Sequence, residues 1–223
     1  MPPNPDSQPV KVMLVEDHQM FREWLAQMIT RDSGFSICAE TDNIHDALEL
    51  ARQHHPDIAI VDLTLRGSSG LELIKDLKAQ EFDIPVLVLS MHDESLYAER
   101  VLRAGARGYI TKHEATSTLR QAVRRVLEGQ IYLSERMTAA LLSRVAAQGR
   151  RRAASGLESL ADRELEVFQL VGKGYNTREI AAQLHLGETT IETYRARIRE
   201  KLRLRNAADL YTRAAQWVLE QGV

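Results

Sequence analysis

Apolar runs of strand length recur along the first 130 residues at a nearly regular pitch. They begin near residues 10, 35, 58, 84 and 108, so successive starts lie 25, 23, 26 and 24 residues apart. After each run the apolar positions change to helical spacing. Phe21, Leu25 and Met28 follow the first; Ala47, Leu48 and Leu50 the second; Leu71, Leu73, Ile74 and Leu77 the third. Leu96, Val101 and Leu102 follow the fourth, and Leu119, Val123, Val126 and Leu127 the fifth. Alternating strands and helices predict a parallel sheet covered on both faces. The fold class is therefore α/β, a doubly wound five-stranded parallel sheet. Sites in such sheets form at the carboxyl ends of the strands. Glu16, Asp17, Asp62, Ser90 and Lys112 all fall there.

The pattern changes in the second part of the chain. Residues 134–147 read as a further helix, starting at Ser134. A run of glycine, small residues and arginines from Gln148 to Gly156 reads as a flexible linker. Beyond residue 157 no strand pattern is found. Four helices are expected near 162–171, 177–184, 188–203 and 206–219, an all-α domain. Asn176 is placed to cap the second, with Glu179 three residues on as its capping-box partner. His185-Leu186-Gly187 makes a tight turn into the third. Two helices joined by three residues including glycine suit a helix-turn-helix. The expected organisation is a flexible tail at 1–9, a first domain at 10–131, a linker helix and flexible linker at 132–157, and a second domain at 158–223.

Composition narrows the function classes. The chain has 223 residues, 44% hydrophobic and 27% charged, as in ordinary globular proteins. Its single cysteine, Cys38, excludes an internal disulfide framework and reads as a small core residue. No run is long enough to span a bilayer, and the start lacks the basic and apolar regions of a signal peptide. The expected location is the cytoplasm, with no membrane partner. The net charge of −2 is unevenly spread. Residues 190–205 carry six basic and two acidic side chains, a local basic stripe of the kind that binds nucleic acid.

The strand-end residues suggest one chemistry. Moving a phosphoryl group onto a carboxylate crowds negative oxygens together, and a divalent cation and an ammonium must offset the repulsion. Carboxylate oxygens suit Mg2+. Glu16 and Asp17 would hold it, Asp62 would be both ligand and nucleophile, Lys112 would pair with a phosphoryl oxygen and Ser90 would hydrogen-bond another.

These residues carry a resemblance. Val15-Glu16-Asp17-His18, Val61-Asp62-Leu63, Leu89-Ser90 and Ala104 through Lys112 make residues 10–130 resemble a response-regulator receiver domain, the CheY-like fold. That resemblance implies that Asp62 is the phosphoacceptor and that the Thr64 carbonyl completes the metal shell. It also implies that Ser90 and Tyr109 form a switching pair, with Tyr109 changing rotamer, and that Thr64 and His92 flank the site. His18 reads as a structural histidine. Leu160 through Val167, Gly174 through Ala181 and Thr190 through Ile198 resemble the LuxR-type helix-turn-helix of the NarL/FixJ regulators.

In the third helix of that domain, Ile191, Ile198 and Leu202 recur at helical spacing and should face the core. Glu192, Thr193 and Ala196 are then the candidates to meet base edges, and Thr190, Tyr194, Arg195, Arg197 and Arg199 to meet phosphates. Many relatives carry Lys where this chain has Glu192, and Thr or Ser where it has Ala161. Losing that cap costs roughly 0.5–2 kcal/mol unless Ser159 or Asp162 substitutes. The resemblance implies a phosphodonating sensor histidine kinase, double-stranded DNA and a homodimer on DNA, with phosphorylation at Asp62 controlling transcription rather than serving enzyme turnover. The alternatives are a phosphorylation-independent DNA-binding regulator, an interaction scaffold, or a phosphatase of the haloacid-dehalogenase type.

Overall fold

The computed structural model describes residues 8–65, 68–146 and 156–221. The chain divides into two compact units, Met1–Leu141 and Leu142–Val223. The Gln148–Ser155 part of the expected linker lies outside the described residues, as does most of the expected tail.

In the first unit five parallel strands alternate with helices. They are β1 (Val10–Val15), α1 (Gln19–Thr30), β2 (Phe35–Thr41), α2 (Ile44–His54) and β3 (Ile58–Val61). A short hairpin of β4 (Thr64–Leu65) and β5 (Ser68–Ser69) precedes α3 (Gly70–Ala79). Then come β6 (Val86–Ser90), α4 (Glu94–Ala104), β7 (Gly108–Thr111) and α5 (Ala115–Leu127). The strand order is β2-β1-β3-β6-β7, so the winding reverses between β1 and β3, where such sheets place their ligands. The fourth strand starts two residues later than the apolar pattern predicts, because Pro85 has no N–H to give the ladder and offers only its carbonyl, to Ala59 N at 3.0 Å.

Side-chain alternation gives the sheet two apolar faces. Val12, Leu14, Ile58, Ile60, Leu87, Leu89 and Ile110 form one core cluster with Leu25 and Ile29 of α1 and Leu119, Val123 and Val126 of α5. Met13, Val15, Ala59 and Val61 are buried on the opposite face. The near-continuous apolar runs arise because both faces are covered.

The expected linker does not leave the sheet at residue 132. Tyr132 N donates to Arg107 O at 2.9 Å, Tyr109 N donates to Tyr132 O at 2.9 Å, and Tyr132 bridges Gly108 in parallel. Two residues on, the buried Glu94 carboxylate accepts both Ser134 N, at 2.8 Å, and the Ser134 hydroxyl. Ser134 also caps α6 (Glu135–Ala146) by accepting from Met137 N at 3.1 Å. These bonds make residues 132–134 a strap along the edge of β7, which closes an otherwise open strand.

The second unit is helical among its described residues. A 3-10 turn (Gly156–Ser159) leads into α7 (Asp162–Gly172), α8 (Thr177–Leu184), α9 (Glu188–Lys201) and α10 (Ala207–Gln221). Its core joins Leu165, Phe168 and Val171 of α7 to Ile180 of α8, Ile191 and Ile198 of α9, and Leu210, Ala214 and Trp217 of α10. Gly172 permits close approach of α7 and α10, since a Cβ there would lie 2.5 Å from Ala214 O. The predicted capping box of α8 is present: Asn176 Oδ1 accepts from Glu179 N at 3.0 Å, and Glu179 Oε2 accepts from Asn176 N at 2.8 Å. α9 ends at Lys201 instead of 203, because Arg203 turns to a left-handed φ of 56°.

At the start of α7 only half a capping box forms. Glu164 Oε2 accepts from Ala161 N at 2.7 Å, but Ala161 has no oxygen to return the bond. Ser159 does not substitute, since its hydroxyl donates to Gly156 O at 2.7 Å. Ala161→Ser should therefore raise stability by about 0.5–1 kcal/mol, read as a higher urea midpoint at unchanged slope.

Candidate functional site

The strand register brings the acidic and basic groups to one rim. Glu16 N donates to Thr41 O at 3.0 Å, Asp62 N to Val15 O at 2.9 Å and Lys112 N to Ser90 O at 2.8 Å, so each residue follows directly from a paired strand end. Lys112 Nζ lies 2.7 Å from Glu16 Oε2 and 2.8 Å from Asp62 Oδ2. Glu16 and Asp62 are both buried. Thr64 N donates weakly to Asp62 Oδ1 at 3.3 Å.

This packing costs the carboxylates solvation. Burial pushes the Asp62 carboxyl up to about 6; Lys112 opposes the rise and Glu16 adds to it. At Lys112 burial acts to lower the ammonium's pKa, but Asp62 and Glu16 outweigh it and hold the value above the ordinary one. Phe21 is a participant the sequence reading assigned only to the core. Its ring centroid lies 4.5 Å from Lys112 Nζ, so the ammonium is held from below by an aromatic face.

The residues present fit a hard cation. Glu16, Asp17, His18 and Asp62 each offer a ligand atom, all within 4.8 Å of one another. Asp17 Oδ1 is buried without a hydrogen bond. His18 Nδ1 stands 2.8 Å from it, but the bond this ring nitrogen makes is to Glu16 Oε1, at 3.2 Å. A buried carboxylate oxygen left unpaired among other carboxylates is the kind of donor Mg2+ takes. His18 is exposed at the rim.

Ser90 and Tyr109, the expected switching pair, lie beside this rim. Ser90 is fully buried, and its Oγ accepts from His92 N at 3.2 Å. Tyr109 is buried too, with its hydroxyl donating to His92 O at 2.7 Å. Burial drives that phenol well above its ordinary pKa, against a lowering hydrogen bond with Ser90. His92 links the two ends of the set: its Nε2 is 2.9 Å from Thr64 Oγ1, and its ring stacks on Tyr97 at 4.8 Å.

In the second unit α8, the three residues His185–Gly187 and α9 make the helix-turn-helix. His185 adopts the left-handed conformation (φ 52°) that ends α8. Thr190, Glu192, Thr193, Ala196 and Arg197 are exposed on α9, while Tyr194 and Arg199 are half-buried. Thr193 Oγ1 donates back to Thr189 O at 2.9 Å. Arg195 does not stand where the sequence reading put it. It is buried, and it donates to Thr177 Oγ1 at 2.5 Å, to Glu192 Oε1 at 3.2 Å and to the Tyr211 hydroxyl. Its position explains this: Arg195 sits four residues after Ile191 and three before Ile198, on the core stripe itself.

Two known sequence families match these two units. The response regulator receiver domain matches residues 12–124, and the bacterial regulatory proteins of the luxR family match residues 158–214. The chain belongs to the two-component response regulators. Response regulator GacA of Pseudomonas aeruginosa is 32% identical to this regulator over 201 residues, 90% of this chain and 93% of that protein. The nitrate/nitrite response regulator protein homolog of Haemophilus influenzae is 32% identical over 210 residues, 94% and 95% of the two chains. A LuxR-family two-component response regulator from Aurantimonas aligns at a TM-score of 0.58 and 31% identity, covering 62% of this regulator and 99% of that chain. Salmonella RcsB bound to the rprA promoter shares the fold at a TM-score of 0.66 and 21% identity, over 93% and 99% of the two chains. The regulator thus joins a receiver to a LuxR-type DNA-binding domain, and no helix among its described residues is long and apolar enough to cross a membrane.

Proposed function

We propose that this regulator accepts a phosphoryl group on Asp62 from a sensor histidine kinase in the cytoplasm and, as a homodimer, binds a two-fold-related DNA site in response. The observation that carries the reading is the buried cluster in which one ammonium spans two carboxylates, 2.7 Å from Glu16 and 2.8 Å from Asp62. Glu16, Asp17, Asp62 and the Thr64 carbonyl would hold Mg2+, which would supply positive charge against the incoming phosphoryl oxygens. An Asp62 oxygen attacks phosphorus and the P–O or P–N bond to the donor breaks. Lys112 then moves its pairing from the carboxylate to a phosphoryl oxygen. Ser90 Oγ, which accepts from His92 N and hydrogen-bonds Tyr109, would turn its own proton from Tyr109 to another phosphoryl oxygen. That pull on Ser90 reaches His92 and Tyr109, the hydrogen-bonded pair behind it.

On the DNA side α9 enters the major groove. Glu192, Thr193 and Ala196 meet base edges, while Thr190, Tyr194, Arg197 and Arg199 meet phosphates. Arg195 is withdrawn from that set because its donors are spent inside the domain. Half-sites lie about one helical turn apart.

Intact mass after incubation with acetyl phosphate and Mg2+ tests the receiver chemistry. The parent should gain one base-labile phosphoryl group, and Asp62→Asn none. The treated parent, and not the variant, should then bind DNA more tightly in a salt-dependent manner. Equal stimulation of both would overturn the reading.

A further inference from the structure

Glu192 presents a physical problem. A carboxylate on a groove-facing helix is repelled by the phosphates on either side, and a long exposed side chain loses rotamer freedom when DNA fixes it. The structure counters both. Glu192 Oε1 accepts from the Thr177 hydroxyl at 2.6 Å and from Arg195 Nη1 at 3.2 Å. The first tie comes from the opening residue of α8 and the second from within α9. The guanidinium compensates the charge, and the two donors fix the carboxylate before any DNA arrives.

Arg195 is itself held from a third helix. Its Nη2 donates to the Tyr211 hydroxyl, and its Cζ lies 4.8 Å from the centre of the Tyr211 ring. One tyrosine therefore gives the guanidinium both an acceptor and a cation–π face. The chain of contacts runs Tyr211 of α10, Arg195 and Glu192 of α9, Thr177 of α8. It uses Oε1 of Glu192 inwardly, and among the described residues Oε2 has no partner. A fixed oxygen that can only accept selects an exocyclic amino group in the major groove, and cytosine N4 is the usual match for a carboxylate.

We propose that Tyr211 is a positioning residue for base selection: acting through Arg195, it fixes the Glu192 carboxylate that selects a cytosine in each half-site. This rests on the reading that α9 lies in the major groove with Glu192 against the bases. It goes beyond that reading in giving the last helix a share in sequence choice. Tyr211 need not touch DNA.

The test uses the full-length chain, phosphorylated with acetyl phosphate, and a library of duplex DNA with a randomised central segment. Enrichment by the parent should reveal one half-site position with a strong cytosine preference. Glu192→Gln keeps the side chain's shape but turns one oxygen into a donor, so it should abolish the preference at that position. Tyr211→Phe keeps the ring and deletes the acceptor. It should flatten the same position by about 3- to 10-fold, the size expected for one lost hydrogen bond. Its affinity for unrelated duplex and its salt dependence should be unchanged. Thr177→Val removes the other tie from a different helix and should flatten the same position, which a general fault in folding or dimerisation of the Tyr211 variant would not reproduce. If Glu192→Gln shifts the position but Tyr211→Phe and Thr177→Val leave it sharp, the positioning role is wrong and base reading stands. If Glu192→Gln changes no position, Glu192 does not read bases and the positioning role falls with it.

Discussion

Asp62→Asn should make the metal-free protein more stable while removing its ability to be phosphorylated. Burial raises the Asp62 pKa from 3.8 to about 6, so the folded state binds this proton more tightly than the unfolded state does. Well below pH 3.8 the carboxyl is protonated in both states and imposes no penalty. As pH rises through 6 the folded protein carries a desolvated anion, at a cost of about 1–3 kcal/mol. Asparagine avoids that cost, and Lys112 keeps Glu16 as a partner at 2.7 Å. Urea unfolding in a chelator at pH 7.5 should therefore show Asp62→Asn more stable by about 1–3 kcal/mol, with the gap shrinking towards pH 4.5. Saturating Mg2+ should reverse the order, because only the parent has the full set of carboxylates and a ligand that binds the native state stabilises it. A variant no more stable than the parent at pH 7.5 would show that the pocket stores no electrostatic cost.

Gly70→Ala should damage the receiver more than any neighbouring glycine change. A Cβ at Gly70 would lie 2.0 Å from Asp62 O and 2.9 Å from Asp62 C. Both are backbone atoms of Asp62, the proposed phosphoryl acceptor, so no flexible side chain can give way. The β4–β5 hairpin fixes this approach by returning the chain to Asp62, and Gly70 N donates to Leu63 O at 2.9 Å. The expected loss is about 3 kcal/mol or more, beyond ordinary overpacking, with phosphoryl uptake falling out of proportion to the folded fraction. Gly129→Ala is the control. Its φ of 78° is unfavourable, but nothing lies within 4 Å, so only about 1–2 kcal/mol is at stake. Chemical denaturation and acetyl phosphate uptake on both variants decide the point; similar losses at the two positions would contradict it.

The contrast between these glycines marks where the sequence stops being legible. Strand starts at 10, 35, 58 and 108 follow from runs of apolar residues buried on both faces, and the rim set follows from what ends each run. Gly70 carries no such signal. It is one of four residues after Arg66, Gly67-Ser68-Ser69-Gly70, that any turn would accept, and a hairpin of two-residue strands is too short to show alternation. Arg195 is different, because its signal was present and overridden. The 191-195-198 spacing places it among core positions, but its charge argued for an outward role. Periodicity reports where a side chain's root lies, and a guanidinium given Thr177, Glu192 and Tyr211 as partners can be buried there. The missing cap at Ala161 was readable, while the answer to it was not, since Glu164 is reused from the other half of the box.

The strap at Tyr132 and Ser134 sets where the receiver ends as a folding unit. The family match stops at residue 124, inside α5, yet β7 receives its outer hydrogen bonds from Tyr132, and Glu94 is satisfied by Ser134. A fragment cut at the family boundary would present an unpaired strand edge and a buried carboxylate without its donors. The autonomous module is the sheet plus its own first stretch of linker. Evolutionary exchange of output domains in such proteins would have to join downstream of Met137 to leave the receiver's edge closed.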